Sequence, residues 1–364
     1  MANNSNQRNT RQKRKVIIFS IEIVVLLAMV AVLYVVMTKT NSKGPSYTVV
    51  EPQNVTSPEV QQKKEEGNMK IEEYWNIALY GVDAKRDSQL YKGSNSDSIM
   101  ICSINKTTGD IKLVSVYRDT LMNIGNDQYY KCNRAYMEGG YEQSLKMLNM
   151  NLDMDITDFV TVGYKGLMEV IDGLGGVYID VDFEEMVHLN NYQKTIVTDV
   201  DGIDSYVEVK EPGYQLLNGL QAAAYCRIRK TKGDDFKRAE RQREVIKAIE
   251  EQAKKEKNPQ VLINIFNNAI DDIFTSLDPK DIIALLPKIA DYRIVEEGGF
   301  PDESMRTTGT IGAKGSCVVP LDLEDNVVWL HKFLFEEQDY SVTANVAEYS
   351  EEVASLSAPY IKLK

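Results

Sequence analysis

The chain has 364 residues, a formal net charge of -12, 43% hydrophobic residues and 26% charged residues. That length suffices for one large or two modest domains with a substantial core. The acidic balance excludes a general nucleic-acid binder, which needs a broad basic face.

Val16–Met37 is a nearly unbroken apolar run with one charge, Glu22. At about 1.5 Å per residue, a helix of that length matches the thickness of a bilayer core. Arg8, Arg11, Lys13, Arg14 and Lys15 precede it, and only Lys39 and Lys43 follow closely. The positive-inside rule then predicts a cytoplasmic tail over 1–15, a transmembrane helix over 16–37 and an extracellular remainder. The run is too long for a signal-peptide core, and no A-x-A site follows it. Residues 38–72 are rich in Ser, Thr, Pro, Gln, Glu and Lys and are expected to form a stalk. A folded domain is expected over 73–340, with 341–364 as a C-terminal tail.

Trp75–Val82 is expected to form a buried strand ending at Asp83, and Ala84–Ser96 a polar loop. Asp97 opens a second strand, Ser98–Ile104. A turn at Thr107–Asp110 returns the chain through Ile111–Tyr117, so the hairpin brings Arg118-Asp119 to the end where Asp97 begins. Tyr141–Leu152 and Lys165–Leu174 read as helices, the second closed by Gly175-Gly176. Phe159–Val162 and Val177–Val181 read as strands. Residues 183–213 are polar and irregular, an insertion carrying Ile196-Val197 and Tyr206–Val209. Asn218 caps a short helix, Gly219–Ala224. Tyr225–Arg229 reads as a strand with Arg227 and Arg229 on one face.

Lys230–Lys237 is a charged loop and Arg238–Lys255 a long helix, on which Arg238 and Gln242 are i,i+4 neighbours. Helices over Pro259–Ile273 and Pro279–Ala290, strands and loops over 291–320, and a last helix over Asn326–Phe335 complete the chain. Strands alternating with helices, and hairpins among them, predict an α/β fold: an α-β-α sandwich with a central mixed sheet.

Cys102, Cys132, Cys226 and Cys317 are widely spaced and read as small buried hydrophobes. The only histidines, His188 and His331, lie in different settings, which disfavours a His-rich metal site or a Ser-His-Asp triad. No phosphate-loop or dinucleotide fingerprint occurs.

Chemistry gathers instead in carboxylates and arginines. Asp83 and Asp97 at strand ends each read singly as turn residues; together they offer hard oxygen ligands of the kind magnesium uses with water and phosphate. Arg227, Arg229, Arg238, Arg241 and Arg243 crowd the segment after Tyr225. A solvated helix face with Glu240 and Glu244 accounts for Arg243 and is open to Arg241, but accounts poorly for Arg227 and Arg229 on an apolar strand, which need an anion.

Several segments together resemble the LytR-CpsA-Psr family of bacterial cell envelopes. They are Asn76-Ile-Ala-Leu-Tyr-Gly-Val-Asp83, Ser96-Asp-Ser98, Ser115-Val-Tyr-Arg-Asp-Thr120, Lys131-Cys-Asn-Arg-Ala-Tyr136 before Gly139-Gly140, and Asp172-Gly-Leu-Gly-Gly-Val177. The most specific is Leu217-Asn-Gly-Leu-Gln-Ala-Ala-Ala-Tyr-Cys-Arg-Ile-Arg229, followed by Arg238 and Arg241-Gln242. The resemblance covers about residues 74–255. The chain departs from the family pattern at Tyr117, usually Pro, and at Cys132 and Arg134.

The resemblance implies a phosphotransferase that moves a teichoic acid, capsule or related polymer from a polyprenyl pyrophosphate carrier to peptidoglycan, at the membrane and without nucleic acid. It implies an apolar lipid tunnel between sheet and helices, with pyrophosphate at its mouth. By position, Asp83 and Asp97 match the metal pair for magnesium, or manganese. Arg118, Lys131, Arg227, Arg229, Arg238, Arg241 and Gln242 match the pyrophosphate clamp. Arg118, Asp119, Arg227 and Arg229 are the catalytic candidates, Asp119 either orienting Arg118 or taking a proton. Two other classes compete: a non-catalytic lipid-phosphate or wall-binding module, and an envelope-linked transcriptional regulator.

Overall fold

The computed structural model describes residues 50–361 apart from 51, 68, 84–89, 230, 232, 257–260, 262, 263, 266, 267, 270, 271 and 278–292. Among the described residues no helix is long and apolar enough to cross a membrane. The expected span, Val16–Met37, lies outside them, as does the expected helix Pro279–Ala290.

Among the described residues six strands form the central sheet: β1 (Tyr74–Val82), β2 (Ser96–Asn105), β3 (Asp110–Val116), β6 (Asp158–Val162), β9 (Ile273–Thr275) and β10 (Arg293–Phe300). Their order is β10-β3-β2-β1-β6-β9. The β1–β2–β3 meander is antiparallel, while β6 pairs with β1 and β10 with β3 in parallel. The sheet is therefore mixed, as expected. Three two-stranded ribbons flank it: β4 (Leu121–Asn123) with β5 (Tyr129–Lys131), β7 (Val177–Val181) with β8 (Gly213–Leu217), and β11 (Arg306–Thr310) with β12 (Ser316–Pro320).

Helices cover both faces, which is why β2 is buried through most of its length. On one face Ala78, Tyr80, Ile101 and Val114 meet α2 (Asn133–Leu152), α7 (Leu323–Phe335) and α8 (Ala344–Ser357) in one core. On the other lie α3 (Tyr164–Gly173) and α6 (Asp234–Lys255), backed by α4 (Phe183–Asp199) and α5 (Gly219–Tyr225). Gly140, at φ 67°, kinks α2 where a Cβ would meet the Tyr91 carbonyl oxygen at 2.5 Å.

Several expectations change. The stalk ends earlier than residue 72: α1 (Pro58–Glu65) is capped by Ser57 and buries Val60, and Val55 joins the core. The expected tail contains α8, which buries Val346, Tyr349 and Val353 and is joined to α2 through Thr343, Tyr340 and Asp153.

Residues 183–199 are helical rather than irregular. Asp182 and Glu185 form a capping box. The apolar stripe is thin because polar Glu185 and Gln193 occupy buried positions beside Leu189 and Ile196. Tyr225–Arg229 is not a strand. The capping box of Asn218 and Gln221 carries α5 through Tyr225, and the chain then tightens, with Arg227 N donating to the Ala224 carbonyl and Ile228 N to that of Tyr225. Helix α6 begins within the expected loop, at Asp234, and Ile273 opens a strand rather than ending a helix.

Candidate functional site

The β1–β2 pairing slips at its open end: Gly81 faces Ser98, but Val82 faces Ser96. Asp97 is the residue skipped, a bulge that turns its carboxylate out of the ladder. Asp83 follows the end of β1 beside it. The hairpin return then delivers Arg118, whose Nη1 donates to Asp97 Oδ1 at 2.6 Å. The turn after α5 supplies Arg227 and Arg229 on either side of buried Ile228, and Arg229 Nη2 donates to Asp97 Oδ2 at 2.9 Å. Their common side, expected from a strand, arises from this turn.

These residues line one polar cavity. Asp83, Asp97, Arg118, Arg227 and Arg229 enclose about 430 Å³ together with Ser94, Asn95 and Tyr192. Directly behind it lies an apolar cavity of about 240 Å³. Leu79, Met100, Val160 and Val162 of the sheet form one wall, and Leu167 and Val170 of α3 with Val245, Ile246 and Ile249 of α6 form the other. Asp97 and Arg227 belong to both cavities. Arg238 and Gln242 line the apolar one near this junction.

The arginines differ in their partners. Arg118 also donates from Nε to Asp235 Oδ2 at 3.2 Å. Burial pulls its guanidinium down, but Asp97, Asp235 and Asp119 outweigh that and hold it above its ordinary value. Arg238 is 3% exposed. Its Nη2 reaches the Asp97 carbonyl at 3.3 Å, its Nη1 lies 3.3 Å from Asp235 Oδ1, and its Nε has no hydrogen-bond partner. Burial pulls Arg238 down to about 10, reinforced by the neighbouring Arg118. Arg227 has no carboxylate within ion-pair distance among the described residues; it stacks over Tyr164 at 5.1 Å and Tyr192 at 5.6 Å. A buried donor without an acceptor and an uncompensated guanidinium, at the neck between a polar and an apolar cavity, suit an anion attached to a greasy chain.

Asp119 and Lys131 sit one layer behind. Lys131 Nζ lies 3.2 Å from Asp119 Oδ1, and Asp119 Oδ2 lies 3.9 Å from Arg118 Nη2. Lys131 lines neither cavity. Burial lifts the Asp119 carboxyl above the usual range, and a hydrogen bond to Asp235 adds to this. Burial pushes Asp235 up too, but Arg238 and Arg118 outweigh it and hold Asp235 below that range.

Arg241 does not join the clamp. It is 1% exposed and turned away, its Nε donating to Glu185 Oε1 at 2.8 Å. The sequence of α6 alone does not say which of its faces meets the cavity; the α4 carboxylate of Glu185 draws Arg241 to the other side. Arg243 pairs with Glu297 and Ser115, not with Glu240 or Glu244.

Asp235, not among the residues expected from sequence, faces Arg118, Arg229 and Arg238 at once. Its signal was the Asp234-Asp235 pair opening a helix, where acidic residues are favoured. Tyr192 was lost with α4, and Tyr164 had no signal beyond its place beside Gly163. All four cysteines are free, and Cys102, Cys132 and Cys317 are buried as expected of small hydrophobes, while Cys226 is half-buried.

For a divalent cation, the donor set is the test. Among the described residues no group of three or more His, Cys, Asp or Glu forms a metal cage. Asp83 and Asp97 place two carboxylates at a roomy polar cavity, hard oxygen donors of the kind magnesium takes beside water and phosphate, although both Asp97 oxygens here accept from Arg118 and Arg229.

A family model described as the LytR_cpsA_psr family matches residues 34–310. The chain belongs to this family. Biofilm regulatory protein A of Streptococcus mutans is 30% identical over 187 residues, 49% of this chain and 44% of that protein. The polyisoprenyl-teichoic acid–peptidoglycan teichoic acid transferase TagU of Enterococcus faecalis is 30% identical over 238 residues, 64% of this chain and 69% of TagU. The chain thus spans less than half of the first relative and about two thirds of the second. Solved structures of Bacillus subtilis TagT share the fold of this LytR-CpsA-Psr chain. The complex with LI-WTA has 20% identity and a TM-score of 0.57, covering 80% of this chain and 98% of TagT. The complex with an octaprenyl pyrophosphate lipid has 21% identity and a TM-score of 0.52, covering 73% and 90%.

Proposed function

We propose that this protein transfers a glycopolymer, such as a teichoic acid or capsule, from a polyprenyl diphosphate carrier to peptidoglycan. The observation that carries the reading is the shared boundary of the two cavities: Asp97 and Arg227 stand where an arginine-lined polar space meets an apolar one. A prenyl diphosphate has that same division. The names of TagU and of the TagT lipid complex support the assignment by kinship.

In this reading the prenyl chain lies between the sheet and α3 and α6. Arg118, Arg227 and Arg229 grip the diphosphate from the polar side, and Arg238 and Gln242 from the apolar side. A peptidoglycan hydroxyl attacks the sugar-linked phosphorus. A new oxygen–phosphorus bond forms, the hydroxyl proton is released, and polyprenyl phosphate leaves with the electron pair of the broken bond. The guanidinium groups act by positioning and by neutralising charge that grows in the transition state, worth about 2–4 kcal/mol for a well-aimed donor. Asp119, paired with Lys131 at 3.2 Å, is the third carboxylate near Arg118, 3.9 Å away, behind Asp97 and Asp235. Asp83 and Asp97 would hold magnesium or manganese, which when bound neutralises diphosphate charge. Val16–Met37 would anchor the protein with its folded domain outside the membrane.

The test is transfer of a labelled polymer from its prenyl diphosphate to peptidoglycan by the full chain. Arg118→Ala, Arg227→Ala and Asp97→Ala are expected to abolish transfer while the domain stays folded. Full transfer by all three would sink the assignment. Tight diphosphate binding without turnover in wild type would leave a lipid-phosphate-binding module instead.

A further inference from the structure

Arg241, read from sequence as a substrate contact, has a different place. Among the described residues it is the bulkiest fully buried side chain. Its planar fork reaches three acceptors. Nε donates to Glu185 Oε1 at 2.8 Å, Nη1 to the Ile228 carbonyl at 3.2 Å, and Nη2 to Thr231 Oγ1 at 2.7 Å. Ile228 is the residue between Arg227 and Arg229.

Glu185 is fixed in turn. Its Oε2 accepts from the backbone N–H of Asp182 at 3.1 Å, within the capping box of α4. Tyr225, the last residue of α5, donates its hydroxyl to Glu244 Oε2 at 2.9 Å and lies 3.4 Å from Glu185 Oε1. One guanidinium thus ties α4 and α6 to the turn that carries two clamp arginines.

We propose that Arg241, held by Glu185, is a positioning residue that sets the turn bearing Arg227 and Arg229 and so tunes grip on the diphosphate. This rests on the prenyl diphosphate reading of the two cavities. Phosphate recognition by two neighbouring guanidinium groups depends on where their shared peptide sits, because each fork must meet its oxygens in line. A rigid planar donor can hold a carboxylate, a carbonyl and a hydroxyl at once. A lysine at 241 keeps the charge facing Glu185 but has a single nitrogen for three acceptors.

The experiment compares farnesyl diphosphate with farnesol, which carries the same chain and no charge, on the full-length protein by titration calorimetry. Wild type is expected to bind the diphosphate much more tightly. Arg241→Lys is expected to weaken diphosphate binding about tenfold, as loss of an orienting partner does, and to leave farnesol affinity unchanged. Thr231→Val is expected to weaken it about threefold through one lost hydrogen bond. The double variant is expected to lose less than the roughly thirtyfold product of the two single effects, because both changes act on one turn.

Equal loss of both ligands, or loss of neither, would reduce Arg241 to a core ion pair and overturn the proposal. Should Arg241→Lys fail to fold, unchanged diphosphate affinity in Thr231→Val overturns it alone. A wild type that does not prefer the diphosphate overturns the reading of the cavities, and this proposal with it.

Discussion

Replacing Asp97 with Asn should have opposite effects on the empty and the anion-bound protein. Asp97 accepts charge-assisted hydrogen bonds from Arg118 at 2.6 Å and Arg229 at 2.9 Å. Each such bond contributes about 1.5–3 kcal/mol, and an amide oxygen keeps part of it. Asp235 continues to hold Arg118 at 3.2 Å, so the expected loss is about 2 kcal/mol rather than the full value for a broken buried pair. For a domain of this size that lowers the melting temperature by about 3 °C. The same change removes the negative charge that faces two guanidinium groups, so both attract an outside anion more strongly. Inorganic pyrophosphate, added with a chelator to remove metals, should therefore raise the melting temperature of Asp97→Asn more than that of wild type, since ligand stabilisation grows as affinity rises. Thermal unfolding followed by circular dichroism, with and without pyrophosphate, reads both effects. A variant as stable as wild type, gaining no more from pyrophosphate, would refute the role of Asp97 as counter-ion to the clamp.

Arg227→Ala removes a cation stacked on Tyr164 and Tyr192; stability should fall by less than about 1 kcal/mol, while farnesyl diphosphate titration should show at least a tenfold loss. Leu167→Trp fills the apolar cavity; farnesol binding should vanish in the same titration while pyrophosphate binding persists. Arg238→Gln removes a buried guanidinium whose Nε has no acceptor; farnesyl diphosphate titration should show a weaker affinity, because a charge-assisted donor to the anion is lost. Deleting residues after Tyr340 exposes surface that covers Val346, Tyr349 and Val353; at about 1.5–3 kcal/mol per buried side chain, denaturant unfolding should show a loss above about 3 kcal/mol.

Legibility in the sequence followed the range of the forces involved. The hairpin of β2 and β3 was plain from alternation and a Thr-Thr-Gly-Asp turn, and antiparallel geometry alone placed Arg118 near Asp97. Helix α4 was hidden because Glu185 and Gln193 are buried through hydrogen bonds instead of apolar contact, which blanks the periodic stripe. That one omission removed Tyr192 from the site and left Arg241 without its true partner. The turn at Cys226–Arg229 looked like a strand because buried Ile228 between two arginines gives the same alternation. Asp235 escaped notice since its three arginine neighbours come from segments as far apart as Arg118 and Arg238. The skipped position of Asp97 was invisible because a bulge is a property of the pairing, not of one strand.

The most direct measurement is a crystal structure of this protein with a prenyl diphosphate-linked saccharide. The account expects phosphate oxygens within hydrogen-bonding distance of Arg118, Arg227 and Arg229, with the chain running past Leu167 and Ile249 between sheet and helices. A diphosphate bound elsewhere, or a lipid lying outside that cavity, would contradict it.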